Sequence, residues 1–219
     1  SEISKNQNTF IRSTPSKGSL GGVSYGTREA SIILDAAGYD FIFIETVGVG
    51  QSETMAANLV DIFTLIVGPG SGDELQGIKK GITEYADIFI VNKNDGDLKI
   101  QASKTASDYK SALSFYSKKD NHAAKEVLMV SSIEQNGMDS VLETINNIIE
   151  FNKSHKIFNE RRENQLSYWI KEEIRNQIQS KFDLEVDRDS ELLSMTKSVI
   201  NGEISIYDVS DHFLDKFLK

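Results

Sequence analysis

Apolar residues in this chain gather in four short runs: Phe41-Ile42-Phe43-Ile44, Ile62 to Val67, Ile88-Phe89-Ile90-Val91 and Val127-Leu128-Met129-Val130. Each has strand length and is apolar at successive positions, so both faces of each strand call for cover. The segments between them carry helical spacing instead. From Thr27 to Ala37, Ala30, Ile33, Leu34 and Ala37 fall at i, i+3, i+4 and i+7, and Gly38 supplies a stop. Asp73 to Ala86 sets Leu75, Ile78, Ile82 and Tyr85 on one face. Leu98 to Tyr116 reads as a polar helix and Met138 to Phe151 as an amphipathic one. Strands alternating with helices predict an α/β fold, a doubly wound, mostly parallel sheet with helices on both faces. Ligands bind such sheets beyond the carboxyl ends of the strands. The four runs leave at Glu45, Gly68, Asn92 and Ser131.

The pattern changes near residue 152. Leu166, Ile170, Ile174, Ile178 and Phe182 are spaced by four, with Trp169 beside them, and no further strand-like run follows. The expected organisation is an α/β domain over 1–151 and a helical arm over 152–219. Phe182 to Asp189 reads as a break before short helices. Internal repeats and low-complexity tracts are absent from the sequence.

Composition narrows the chemistry. The 219 residues are 39% hydrophobic and 26% charged, ordinary for a globular chain. A net charge of −9 disfavours a nucleic-acid or anionic-membrane binder, which needs a basic face. Nucleotide binding is still open, because local backbone N–H groups hold phosphate. With no cysteine, disulfides and cofactors on thiolate ligands are excluded, and a reducing compartment is compatible. His122, His155 and His212 are scattered, which disfavours a histidine metal site. No apolar run reaches the ~20 residues of a membrane span, and Ser1 to Asn8 lack a signal-peptide core. A soluble cytoplasmic protein is expected, or a mitochondrial-matrix one if the source is eukaryotic.

The strand exits carry the candidate chemistry. Asn92-Lys93-Asn94-Asp95 is an N-K-x-D sequence directly after a buried-type strand. An Asp carboxylate there accepts from guanine N1–H and its exocyclic amine, a donor pair that adenine lacks. Polar pairing of this kind rejects the wrong partner by about 10⁴-fold or more. Asn92 bridges loops and reaches the base, the Lys93 stem covers its flat face, and Ser131-Ser132-Ile133 offer N–H groups to the guanine carbonyl. A plain polar turn is the alternative. After the first run, Glu45 occupies the place of a carboxylate that holds Mg²⁺, often through water. Gly48 and Gly50 permit close approach to a phosphate, and Gln51 could orient a water. Alternatively Glu45 caps a strand and the glycines make a turn. Gly68 to Gly72 and Ser19 to Gly26 are glycine-rich but lack the lysine of a phosphate loop. No G-x-x-x-x-G-K-[S/T] motif occurs in the chain.

In order, Thr9-Phe10-Ile11-Arg12, Gly18 to Val23, Thr27-Arg28-Glu29, Glu45 to Glu53, Gly72 to Gly81 and Asn92 to Asp95 resemble the MeaB/ArgK/MMAA family of P-loop GTPases. The likeness spans about residues 9 to 140. It implies a GTP-binding and GTP-hydrolysing chaperone of adenosylcobalamin-dependent methylmalonyl-CoA mutase, gating cofactor loading and protecting the mutase. By that resemblance Glu45 takes Mg²⁺ and Gly48, Gly50, Gln51, Ser52 and Glu53 form switch II. Asp73 to Lys80 form a further switch segment, whose Lys79 and Lys80 join Gln51 as catalytic candidates. Asn92, Lys93, Asp95, Ser131, Ser132 and Ile133 hold GTP or GDP, and the arm makes a homodimer. An arginine/ornithine transport-associated kinase is the other description borne by this family.

The chain departs from the pattern in lacking the first strand, the phosphate loop and the aspartate that follows it. In related folds that strand lies between the ones expected at Phe41–Glu45 and Ile62–Val67. Its absence leaves both with an open edge or makes them pair directly. The expectation is a truncated product or half of a split protein, with weak or no GTP binding alone and no hydrolysis. A non-catalytic partner of a mutase or sister subunit is a second reading. A metal-centre maturation GTPase is a third, disfavoured by the lack of Cys and clustered His.

Overall fold

Among the described residues three parallel strands make the sheet: β1 (Thr64–Val67), β2 (Ile88–Val91) and β3 (Glu126–Met129), in spatial order β1-β2-β3. The structure, a computed structural model, describes residues 5–14, 25–46, 55–70, 80–114, 125–186 and 190–217. Helices α1 (Tyr25–Ala36), α2 (Lys80–Tyr85), α3 (Lys99–Ser114), α4 (Met138–Ser154), α5 (Ile157–Val186), α6 (Ser190–Ile200) and α7 (Ile206–Phe217) complete the named elements. Contacts divide the chain into two compact units, Ser1–Gln165 and Leu166–Lys219, so the division falls within α5.

All four residues of β2 are buried, and the strand pleat sends them alternately to two cores. Phe89 and Val91 meet Ala102, Ala106 and Tyr109 of α3, together with Val127. The α3 positions 102, 105, 106 and 109 are i, i+3, i+4 and i+7, and its alanines admit the sheet closely. Phe89 and Tyr109 rings lie 5.6 Å apart, tilted by 44°. Ile88 and Ile90 instead meet Val130 and Ile148, with Val141 and Ile145 of α4 beside them. Burying each large apolar side chain contributes roughly 1.5–3 kcal/mol. In register, Thr64, Ile88 and Glu126 are level, as are Val67, Val91 and Met129. The three strands therefore finish along one rim.

Several expectations are corrected. Phe41 to Ile44 joins no ladder, and Phe41 and Phe43 are 48% and 85% exposed. Their rings stack on each other at 6.2 Å. A strand needs a neighbour for its backbone groups, and no described residue provides one. The outer edge of β1 likewise lacks a strand partner among the described residues, and Ile66 is 64% exposed. Helix α1 ends at the predicted Gly38, whose φ is +87° and whose N–H donates to Asp35 O at 3.0 Å. Its expected apolar face is only partly covered, since Ala30 and Leu34 are half-buried and Ile33 and Ala37 exposed. Of the helix expected over Asp73 to Ala86, residues 73–79 lie outside the described set. Tyr85, placed on its buried face, is exposed, whereas Thr83 is buried. The break expected from Phe182 is displaced, because α5 continues to Val186.

At the amino end of the sheet, the start of α5 is tied down by charge. Arg161 forms a bidentate pair with Asp87, Nη1 to Oδ2 at 3.0 Å and Nη2 to Oδ1 at 2.9 Å, and also donates to Asp61 O. Asp87 Oδ2 accepts from Phe63 N–H at 2.8 Å as well. Arg162 pairs with the Asp61 carboxylate through Nε at 2.9 Å and Nη2 at 2.8 Å. Gln165 Nε2 donates to Val60 O at 2.8 Å. Burial disfavours the Arg161 charge, but the hydrogen bonds and charge of Asp87, with Asp61 behind it, outweigh that and raise its pKa.

In the second unit, Ser205 and Asp208 cap α7 reciprocally. Ser205 N–H and Oγ donate to Asp208 Oδ2 at 2.8 and 2.7 Å, and Asp208 N–H donates to Ser205 Oγ at 3.2 Å. Glu191 of α6 accepts from Lys216 at 2.8 Å and lies 3.0 Å from His212 Nε2, both on α7. Leu166, Ile170, Ile174 and Ile178 are each more than half exposed.

Replacing Arg161 by Ala leaves Asp87 half-buried without its countercharge. The expected loss is about 2 kcal/mol of unfolding free energy, read by urea denaturation. Glu191 gives a pH prediction. Lys216, then His212, hold its pKa below the ordinary carboxylate value of 4.5. The link between α6 and α7 is thus fully present above that value and is lost as pH falls through the lower folded-state pKa. A carboxyl NMR titration of Glu191 with its midpoint at or above 4.5 would contradict this.

Candidate functional site

The loop after β2 is bound to both neighbours. Asn92 N–H donates to Val67 O at 2.9 Å, Asn94 N–H to Val130 O at 2.9 Å, and Val130 N–H to Val91 O at 2.9 Å. The chain then passes from Asp95 through a 3-10 turn, Gly96–Leu98, into α3. Lys93 has φ of +62°, a conformation costly for a residue with Cβ. Asn92 Oδ1 supports it by accepting from Lys93 N–H at 2.8 Å. The same oxygen accepts from Ser132 N–H at 3.2 Å and Ser132 Oγ at 3.0 Å. Three donors around one terminal atom identify it as the amide oxygen. Asn92 therefore joins the two loops.

Past β3 the chain folds back tightly. Ser131 and Asn136 exchange backbone hydrogen bonds of 3.0 and 3.1 Å. Gly137 closes the turn at φ +80°, where an added Cβ would lie 2.4 Å from Met129 O. Only glycine fits there. Ser131 is fully buried, and its Oγ accepts from Glu134 N–H at 3.0 Å and donates to Asp95 Oδ2 at 2.5 Å. Asp95 Oδ1 has no hydrogen bond among the described residues, and since no unpaired side-chain polar atom is buried, it reaches solvent. A half-buried carboxylate is thus presented at the sheet rim as an acceptor, beside the exposed Lys93 and Ile133. Lys99 and Glu134 lie 3.6 Å apart nearby, too exposed to contribute much.

The structure brings Asn92, Lys93, Asp95, Ser131 and Ser132 together. Glu45 is exposed on the segment that joins no ladder, so the sheet does not place it on this rim. Gly48, Gly50, Gln51, Ser52, Glu53 and Lys79 lie outside the described residues, as does the Lys80 side chain. No group of three or more His, Asp or Glu gathers as a metal site among the described residues. Mg²⁺ is held by one or two carboxylates together with phosphate oxygens and water, so those residues alone do not make a magnesium site. No helix among them is long and apolar enough to cross a membrane. Sequence reasoning missed Glu134, whose N–H feeds Ser131, and the closure at Asn136 and Gly137. The Asn-Gly dipeptide was the available signal for that turn.

Comparison with known proteins gives the same direction. The family described as "Methylmalonyl Co-A mutase-associated GTPase MeaB" matches residues 1–187. A "Methylmalonic aciduria type A homolog, mitochondrial" of Caenorhabditis elegans is 38% identical over 181 residues, 83% of this chain and 45% of that protein. "GTPase ArgK" of Escherichia coli is 42% identical over 144 residues, 66% of this chain and 44% of that protein. The chain thus spans about half the length of these curated relatives. A crystal structure of an LAO/AO transport system kinase superposes with a TM-score of 0.75 and 28% identity, covering 100% of this chain and 68% of that one. The chain shares the P-loop GTPase fold of that structure. With its family-matching order of motifs and its parallel sheet, this chain belongs to the MeaB family of methylmalonyl-CoA mutase-associated GTPases.

Proposed function

We propose that this chain carries the guanine-reading end of a GTPase site. The observation that carries the reading is the Asp95 carboxylate, anchored by Ser131 through Oδ2 and open to solvent through Oδ1. Guanine N1–H and its 2-amino group meet an acceptor there, whereas the corresponding edge of adenine offers no such pair. For the whole protein the reading is GTP and GDP binding and GTP hydrolysis; the assignment of Mg²⁺ to Glu45 and of catalysis to Gln51, Lys79 and Lys80 rests on the family likeness alone. The whole protein serves as a chaperone of an adenosylcobalamin-dependent methylmalonyl-CoA mutase. The family description and the name of the C. elegans relative support that role. The exposed stripe from Leu166 to Ile178 supports a homodimer through the C-terminal helices.

These 219 residues hold no phosphate-loop lysine motif. Binding by the chain alone is accordingly expected to be weak, without hydrolysis, yet selective for the base. In amide chemical-shift titrations, GMP should perturb Asp95, Ser131 and Ser132 with at least about tenfold preference over AMP. That figure follows from one hydrogen bond to a charged acceptor at about 1.5–3 kcal/mol. Asp95→Ala should remove the preference. Equal responses to GMP and AMP in the unaltered chain would sink the reading.

A further inference from the structure

We infer that the first turns of α5 are a latch on the chain leading into β1, so that residues 57–61 and the start of this helix open and close together. From the proposed function this takes only the name of what lies upstream: residues 55–61 connect the candidate switch residues Gly48 to Glu53 with β1. Three side chains of α5 reach that connection, Arg161, Arg162 and Gln165, with Gln165 three and four residues beyond the arginines and so beside both. Two of them donate to main-chain carbonyls. Arg161 Nη1 meets Asp61 O, and Gln165 Nε2 meets Val60 O at 2.8 Å and Ala57 O at 3.4 Å. Arg162 holds the Asp61 carboxylate at 2.9 and 2.8 Å. Residues 57–61 lie in no ladder, and α5 supplies donors that a neighbouring strand supplies elsewhere.

The grip has two parts. The Arg161 and Asp87 side chains are only 23% and 20% exposed, and Asp87 Oδ2 also accepts from Phe63 N–H at 2.8 Å, so this pair is a fixed pivot. The Arg162 and Asp61 side chains are 61% and 36% exposed, and water competes for both. Gln165 adds neutral hydrogen bonds. The outer part therefore releases before the pivot does. Its release frees the carbonyls of Ala57 and Val60 and, on the helix, the anchors beyond Arg161. Gln165 is also the last residue of the first compact unit, so the latch determines how far that unit extends along α5. Whatever displaces residues 57–60 loosens α5 from Arg162 onward. By linkage, whatever holds α5 holds residues 57–60 to the same degree.

Amide hydrogen exchange of the 219-residue chain, without nucleotide, tests the latch. Leu59 N–H, bonded to Ala56 O at 2.9 Å, reports on the connection, and Phe63 N–H reports on the pivot. Asn92 and Val130 N–H report on the sheet. In the double variant Arg162→Ala/Gln165→Ala, Leu59 should exchange about tenfold faster, the scale of one lost hydrogen bond to a charged group, with Phe63, Asn92 and Val130 within about twofold of the unaltered chain. Asp61→Ala alters only the connection, yet the α5 amides from Arg162 to Gln165 should exchange several-fold faster. Adding Arg162→Ala to Asp61→Ala should change little more, because both remove one link. A contact without coupling would confine each effect to the element mutated. Should the double variant not fold, Asp61→Ala read at α5 tests the same coupling. Unchanged Leu59 exchange in the folded double variant, unchanged α5 exchange in Asp61→Ala, or equal acceleration at Asn92 and Val130 overturns the inference. None of these outcomes depends on whether GMP binds, so the base-reading stands or fails by its own titration.

Discussion

Burial of β2 on both faces is the constraint from which the rest of the first unit follows. Ile88, Phe89, Ile90 and Val91 are each under 8% exposed, and the pleat commits two of them to α3 and two to α4. A slip of one residue would exchange the two sets and leave both cores mismatched. With β2 held, the parallel register aligns Val67, Val91 and Met129. The first residues past these positions are then neighbours in space, and the loops they open are built from strand exits that packing keeps level.

The two ends of the sheet are treated differently. At the amino end, Asp61 and Asp87 are consumed by Arg161 and Arg162, whose paired guanidinium groups tie α5 to the turns before β1 and β2. At the carboxyl end, no arginine approaches Asp95 among the described residues, and a hydroxyl anchors it. A countercharge would satisfy the carboxylate and close it to ligand, whereas a neutral donor orients it and leaves its charge available. The choice of partner separates a neutralised aspartate from one whose charge has no cationic partner among the described residues.

The rim also holds its own strain. Lys93 sits in the left-handed region, and Asn92 Oδ1 offsets that cost with three accepted hydrogen bonds across two loops. Gly137 supplies a further left-handed residue, where Met129 O leaves no room for a side chain. The loops of the rim are thus held in one arrangement by their own hydrogen bonds. Family membership and the fold of the transport kinase place this rim within a GTPase architecture.

Local pattern sufficed for β2, β3, α3 and α4, because a buried strand and its covering helices print their periodicity directly on the chain. The N-K-x-D sequence and its position at a strand exit were equally legible. Phe41 to Ile44 was not: its apolarity signals an appetite for a sheet, but a ladder forms only where another backbone lies alongside. Nor could the sequence pair Arg161 with Asp87 across 74 residues, Arg162 with Asp61 across 101, or Ser131 with Asp95 across 36. Each charge or hydroxyl has many eligible partners along the chain, and only the packed sheet brings one of them to about 3 Å. The sequence by itself determined β2, β3 and the helices α3 and α4 that cover them, and which residue types crowd the rim. Tertiary structure decided which carboxylates are neutralised and which one faces solvent, because hydrogen bonds are short-ranged and directional while periodicity carries no information about distance.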